Sequence, residues 1–215
     1  MMAEYEIKRL LCSRCGRSEK TCICHWCVNI ANVVELVILQ HPLEQKQAKG
    51  SAGLLHLSLN TSQKHVGEFF DESALNEVLY ASGKTPVLLY PALNESGRNI
   101  LNSPPALSGE MLAAPENCRL IVLDGTWRKS RKMLNLNRPL QMLPRLSLSD
   151  MPASHYHIRK AHRVDQLSTL EASCYALTKL ENNAEKYTPL LDAFDCFISQ
   201  QIALREKHQV ENAKT

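Results

Sequence analysis

Two groups of residues in this 215-residue chain have the types and spacing to do chemistry. The first is Cys12-x2-Cys15-x6-Cys22-x-Cys24, within the run CSRCGRSEKTCICHWC. Four thiolates from one short loop suit a tetrahedral zinc ion, and a shell filled by soft ligands leaves no open position for substrate. The expected role is therefore structural. His25 and Cys27 stand beside the set and leave the choice of fourth ligand open, and reduced free thiols without metal are the plain alternative. Arg14, Arg17 and Lys20 lie among the ligands, as on a zinc module that touches RNA phosphates.

The second group is Asp124-Gly125-Thr126-Trp127, directly after the apolar run RLIVL. Ligands of parallel α/β sheets bind beyond the carboxyl ends of strands. An acid, a glycine permitting close backbone approach, a hydroxyl and a broad aromatic would suit a small ligand there. An Asp-Gly turn followed by a buried Trp would be spelled the same way.

Charge adds a third signal. The formal net charge is only +3, yet residues 128–163 hold nine Lys/Arg against one acid, Asp150. His155, His157 and His162 lie in the same window. Such asymmetry suggests a polyanionic partner better than the total does, although a solvated helix face could produce it too.

These groups need elements to position them. Residues 33–41 (VVELVILQH), 86–90 (PVLLY) and 119–124 (RLIVLD) are short apolar runs that end at Pro42, Pro91 and Gly125. Continuous apolar strands separated by helical segments, such as 72–80, predict a mostly parallel sheet with helices on both faces. Ser168-Thr169-Leu170-Glu171 spells a capping box, with Leu170, Cys174, Leu177 and Leu180 following on one face. Thr188-Pro189 predicts a helix start, running to about His208 with a frayed tail VENAKT. Residues 94–115 read as a loop, and Cys118, Cys174 and Cys196 as core residues. The expected division is a Cys-rich module over 1–30 and an α/β catalytic domain over 31–215.

The composition excludes collagen, disorder and a membrane span, since no apolar stretch approaches the roughly 20 residues a spanning helix needs. The start, MMAEYEIKRLLC, lacks an apolar signal region, so a cytoplasmic protein with reduced thiols is expected. Nothing suggests an obligate protein partner.

In order and spacing, the chain resembles the DTW-domain family. The matching pieces are the Cys12/Cys15/Cys22/Cys24 module, Gln40-His41-Pro42 with Glu44, the strand from Val87 to Pro91, and Leu123-Asp124-Gly125-Thr126-Trp127. They continue through Arg131-Lys132-Met133, Leu143-Pro144-Arg145, Tyr156 with Arg159-Lys160, and Leu167-Ser168-Thr169-Leu170-Glu171-Ala172. One piece departs. The Asn-Thr pair common in the family after the His-Pro-x-Glu segment is absent from Gln47-Ala48-Lys49-Gly50-Ser51-Ala52, where Ser51 offers the nearest hydroxyl.

The resemblance implies transfer of the 3-amino-3-carboxypropyl group from S-adenosylmethionine to N3 of a tRNA uridine. It also implies a SPOUT-like fold with a knotted cofactor region. On this basis Asp124, Thr126 and Trp127 are the expected catalytic residues, with Asp124 as base or orienting acceptor for the uridine N3–H. The cofactor is expected on Leu123, Gly125, Leu143, Arg145, Tyr156, Ser168 and Thr169. The tRNA is expected on Glu44, Arg131, Lys132 and Arg159. Ser168 and Glu171 are equally explained as a helix cap, and His41 as a strand end. Two other functions fit the same residues: a SPOUT-type RNA methyltransferase, and a non-catalytic zinc-containing RNA-binding protein.

Overall fold

The computed structural model describes residues 10–47, 50–91, 107–109, 113–148 and 167–212. Five strands, β1 (Glu35–Gln40), β2 (Ser62–Val66), β3 (Thr85–Leu89), β4 (Cys118–Asp124) and β5 (Arg145–Leu146), form one sheet. Their order is β2-β1-β4-β3-β5, and every pairing is parallel. The three apolar runs are its central strands, because only strands covered on both faces can be apolar at every position.

Alternate side chains divide the core into two layers. Leu36, Ile38, Leu120 and Val122 face one layer, with α1 (Ala52–Ser58), α5 (Thr169–Glu181) and α6 (Thr188–Asn212) packed on it through Leu54, Leu55, Leu177 and Phe197. Val37, Leu39, Ile121 and Leu123 face the other, covered by α2 (Glu72–Tyr80), α3 (Trp127–Leu136) and α4 (Arg138–Gln141) through Leu75, Leu79, Met133, Leu134 and Leu140. Helices thus cover both faces, as the sequence predicts.

Polar residues fix the start of the sheet. Arg119, 1% exposed, donates to the Glu35 carboxylate at 2.7 Å and to the Val78 and Leu79 carbonyls in the last turn of α2. A guanidinium there satisfies helix-end carbonyls that have no partner within the helix. On the other layer Glu181, its side chain 3% exposed, accepts from the Val33 and Val34 amides and the Tyr187 hydroxyl.

Some expectations change. Cys118 and Cys174 are buried, but Cys196 is exposed, because α6 turns Phe194 and Phe197 inward and Cys196 lies on the opposite side. α6 continues to Asn212, past the expected end near His208. β2, read as SQKHV, carries no apolar run because it is an edge strand with partly exposed residues. The expected knot falls on the C-terminal region of the sheet, where residues 149–166 lie outside the described residues. No helix among the described residues is long and apolar enough to cross a membrane.

Candidate active site and metal centre

β1 leads through α1 to β2 on one side, while β4 leads through α3 and α4 to β5 on the other. The adjacent carboxyl ends of β1 and β4 therefore part, making the crevice where open α/β sheets bind ligands. Gln40 and Asp124 are register partners at that point. Asp124 is 6% exposed, with Oδ2 accepting from Gln40 Nε2 at 2.8 Å and Oδ1 accepting from the Thr169 hydroxyl at 2.7 Å. The His41 amide donates to the Asp124 carbonyl, continuing the ladder past the strand ends.

The turn into α3 is tight at its glycine. A Cβ on Gly125 would lie 3.1 Å from Cβ of Lys129 and 3.6 Å from Cβ of His41. Thr126 follows as the N-cap of α3, exposed, with no cap hydrogen bond from its side chain. Trp127 is 58% exposed and meets the Tyr90 ring edge-on at 5.8 Å. An exposed indole argues against a mere packed turn.

Tyr90, just beyond β3, carries Arg145 of β5 over its ring at 5.3 Å. Among the described residues, Nε and Nη1 of Arg145 are buried without a hydrogen-bond partner, and Nη2 reaches the Gln141 carbonyl at 3.5 Å. Burial lowers the guanidinium's proton affinity and raises that of the Tyr90 phenol. Such a group favours a planar anion able to take two parallel hydrogen bonds.

On the other side of Thr126 lies an open depression of about 640 Å³, lined by His41, Pro42, Leu43, Glu68, Thr126, Arg128, Lys129 and Lys132. That volume suits a nucleotide-sized ligand. His41 Nδ1 accepts from the Leu43 amide, leaving Nε2 to donate to Glu68 at 2.9 Å. Lys132 also binds Glu68, and Lys129 binds Glu44 at 2.6 Å. These hydrogen bonds from Lys132 and His41 hold the Glu68 carboxyl below its usual range.

The sequence-derived residues therefore divide. Asp124 and Thr169 are bonded at the strand ends, Gly125, Thr126 and Trp127 follow in the same turn, and Arg145 joins through Tyr90, which meets Trp127. Lys132 lines the adjoining depression and Glu44 borders it through Lys129. Arg131 is exposed on α3. Leu123 and Leu143 direct their side chains into the core, so what they present to a ligand is main chain. Ser168 forms a complete capping box with Glu171. Ser51 Oγ accepts from the Leu170 amide. Tyr156 and Arg159 lie outside the described residues. Gln40 and Tyr90 went unnoticed as site residues; the signal for Gln40 was its place in the Gln40-His41-Pro42 piece at the end of an apolar run.

The cysteine module ends as a compact group. Cys12, Cys15, Cys22 and Cys24 bring their Sγ atoms within 4.8 Å of one another. The Cys12–Cys24 and Cys15–Cys22 pairs are 3.6 and 3.7 Å apart. A tetrahedron with bonds of about 2.3 Å has edges of about 3.8 Å, so the group could hold one tetrahedral thiolate-bound ion. Amides of Cys15 and the neighbouring Arg14 lower the Cys12 thiol, whereas burial and the neighbouring thiols push that of Cys24 up. Gly16, at φ +69°, turns the loop after the first pair. His25 and Cys27 stand outside this group: Cys27 Sγ points to the Ile23 carbonyl, and exposed His25 rests on Trp26. The module packs on the α/β layer through Ile23, with Trp26 Nε1 bonded to Gln200 and Arg17 donating to the Gly50 carbonyl while lying over Phe197.

The DTW domain matches residues 9–202, from the cysteine module into α6. The chain belongs to the DTW-domain family. This DTW-domain chain is 28% identical over 220 residues to a Macaca fascicularis protein named tRNA-uridine aminocarboxypropyltransferase 2, covering 95% of this chain and 70% of that one. It is 29% identical to the Mus musculus protein of the same name, over 84% of this chain and 59% of the relative. An Arabidopsis thaliana tRNA-uridine aminocarboxypropyltransferase A is 28% identical over 59% of this chain and 51% of its own length. The DTW-domain chain thus spans between half and seven-tenths of these relatives. No solved structure matches it.

Proposed function

We propose that this protein transfers the 3-amino-3-carboxypropyl group of S-adenosylmethionine to N3 of a uridine in tRNA, releasing methylthioadenosine. The observation that carries the reading is Asp124: a buried carboxylate at the sheet's switch point, bordered by an exposed indole, in a chain of the DTW family. The relatives' names give the reaction class.

The donor set fits the sulfonium cofactor. Arg145, with two buried donors lacking partners, matches the cofactor's carboxylate, and Trp127 with Tyr90 offers aromatic surface. When bound, S-adenosylmethionine supplies an electrophilic carbon and a neutral thioether leaving group, so no metal is needed at the reacting atoms. The chain's own residues do the rest. Asp124 accepts the N3 proton of uridine as the N3–carbon bond forms and the carbon–sulfur pair leaves with sulfur. Trp127 and Thr126 hold the base at the mouth of the crevice, which fixes the angle of attack. Arg128, Arg131 and Lys132 face the RNA backbone, whose phosphates would compete with Glu68 for Lys132.

Zinc is the ion we assign to Cys12, Cys15, Cys22 and Cys24, as a structural centre; reduced cysteines of this kind fit a reducing compartment such as the cytoplasm. The test uses purified protein, unmodified tRNA and S-adenosylmethionine labelled in its carboxyl carbon. Label in a tRNA uridine is the expected result. Label appearing only when the methyl carbon is marked would replace the reading with methyl transfer.

A further inference from the structure

The environment of Asp124 specifies more than its presence. Its two oxygens are held by two neutral donors of different kinds, and no cation makes an ion pair with it among the described residues. Gln40 Nε2, on a residue 4% exposed, has hydrogens but no lone pair to offer. The Thr169 hydroxyl has both, and it can rotate. Buried polar groups must keep partners in every state they adopt, or the unpaired state becomes costly.

Resting on the transferase reading, we propose that Gln40 and Thr169 are the positioning residues of Asp124, arranged so that its carboxyl is satisfied before and after it takes the substrate proton. Gln40 donates to Oδ2 in both states, because the carbonyl oxygen of a protonated acid still accepts. Thr169 donates to Oδ1 while Asp124 is ionised. Once N3 has lost its proton to Oδ1, that O–H donates to Thr169 Oγ, and the threonine hydroxyl turns away. The proton leaves uridine, resides on Oδ1 and returns to solvent after product release, so charge and protons balance. Both residues are anchored by other contacts. The Gln40 carbonyl accepts from the Gly67 amide, and Thr169 opens α5 behind the Ser168 cap.

The test compares Gln40→Met, Thr169→Val and Thr169→Ser with the full-length protein, measuring kcat and KM for tRNA and for S-adenosylmethionine, with thermal melting as the folding control. Misplacing a general base costs on the order of tenfold to a hundredfold in rate. Gln40→Met and Thr169→Val are expected to lose about that much in kcat, with KM changed less than about threefold and Thr169→Ser recovering most of the loss. Equal rates in wild type and Thr169→Val overturn the proposal, as does a loss carried by KM. Should Gln40→Met fail to fold, the threonine pair decides alone, since valine matches threonine in shape. A wild-type protein that binds tRNA yet transfers nothing would overturn the transferase reading and this proposal with it. A normal wild-type rate with insensitive variants overturns this proposal only.

Discussion

The Arg145 guanidinium lies 5.3 Å above the Tyr90 ring, with Nε and Nη1 buried and without hydrogen-bond partners among the described residues. A charge left so incompletely satisfied is costly in the free protein and becomes useful only when an anion arrives. Arg145→Met should therefore raise the dissociation constant for S-adenosylmethionine about tenfold or more, by calorimetric titration, without lowering the melting temperature. Arg145→Lys should recover little, because an ammonium cannot make the paired contact. Unchanged affinity in Arg145→Met would remove the arginine from the cofactor site.

Gly125 is favoured by close approach rather than by backbone dihedral. A methyl there meets Cβ of Lys129 at 3.1 Å, so Gly125→Ala asks the first turn of α3 to give by a few tenths of an ångström. That turn carries Trp127. The expected outcome is a drop in kcat of about threefold to tenfold with little loss of stability, because the angle of attack is sensitive to small displacements. Wild-type turnover in Gly125→Ala would show that the turn tolerates displacement.

Metal removal tests the cysteine group. Stripping the ion with a strong chelator, or Cys24→Ser, should loosen the module and free Trp26 from its hydrogen bond to Gln200. The readout is a change in tryptophan emission, with the melting temperature falling as well. One equivalent of zinc should restore both in the wild type but not in Cys24→Ser. An unaltered spectrum after complete metal removal would mean that the thiols hold the fold unaided.

Glu35 gives the pH dependence its sign. Burial tends to raise its carboxyl, but the hydrogen bond and charge of Arg119, aided by Lys84 and Gln63, outweigh burial and hold it below the ordinary range. A carboxyl depressed by folding contributes stability above its unfolded value and loses it as pH falls through the folded one. Denaturant melts of wild type and Glu35→Gln should thus differ at pH 7 and converge as pH falls below about 4. A gap that stays constant would contradict the assignment. Arg119→Met, which leaves the half-buried Glu35 carboxylate to Lys84 and Gln63 and removes the partner of the Val78 and Leu79 carbonyls, should cost on the order of 2 kcal/mol at pH 7.

The parts of this molecule legible in its sequence are those with local or periodic causes. The central strands read as apolar runs because both faces are covered, and the Ser168–Glu171 cap reads directly from its spacing. The four cysteines read as one group from loop length alone. β2 escaped because its polar residues lie at the sheet edge, where pairing is made by backbone. Cys196 misled because neighbours in sequence fall on opposite sides of a helix. The partners of Asp124 escaped for a further reason. Gln40 lies 84 residues away and Thr169 lies 45 away, and only the strand order brings them together.

The most direct measurement is the chemical identity of what the reaction releases. Purified protein, unmodified tRNA and S-adenosylmethionine are incubated, and the adenosine-containing by-product is separated and weighed by mass spectrometry. The account predicts methylthioadenosine, formed in one-to-one ratio with a modified uridine and lost in Asp124→Asn, which keeps the side chain's size but cannot take the proton. S-adenosylhomocysteine in its place, or tRNA binding with neither product, would contradict it.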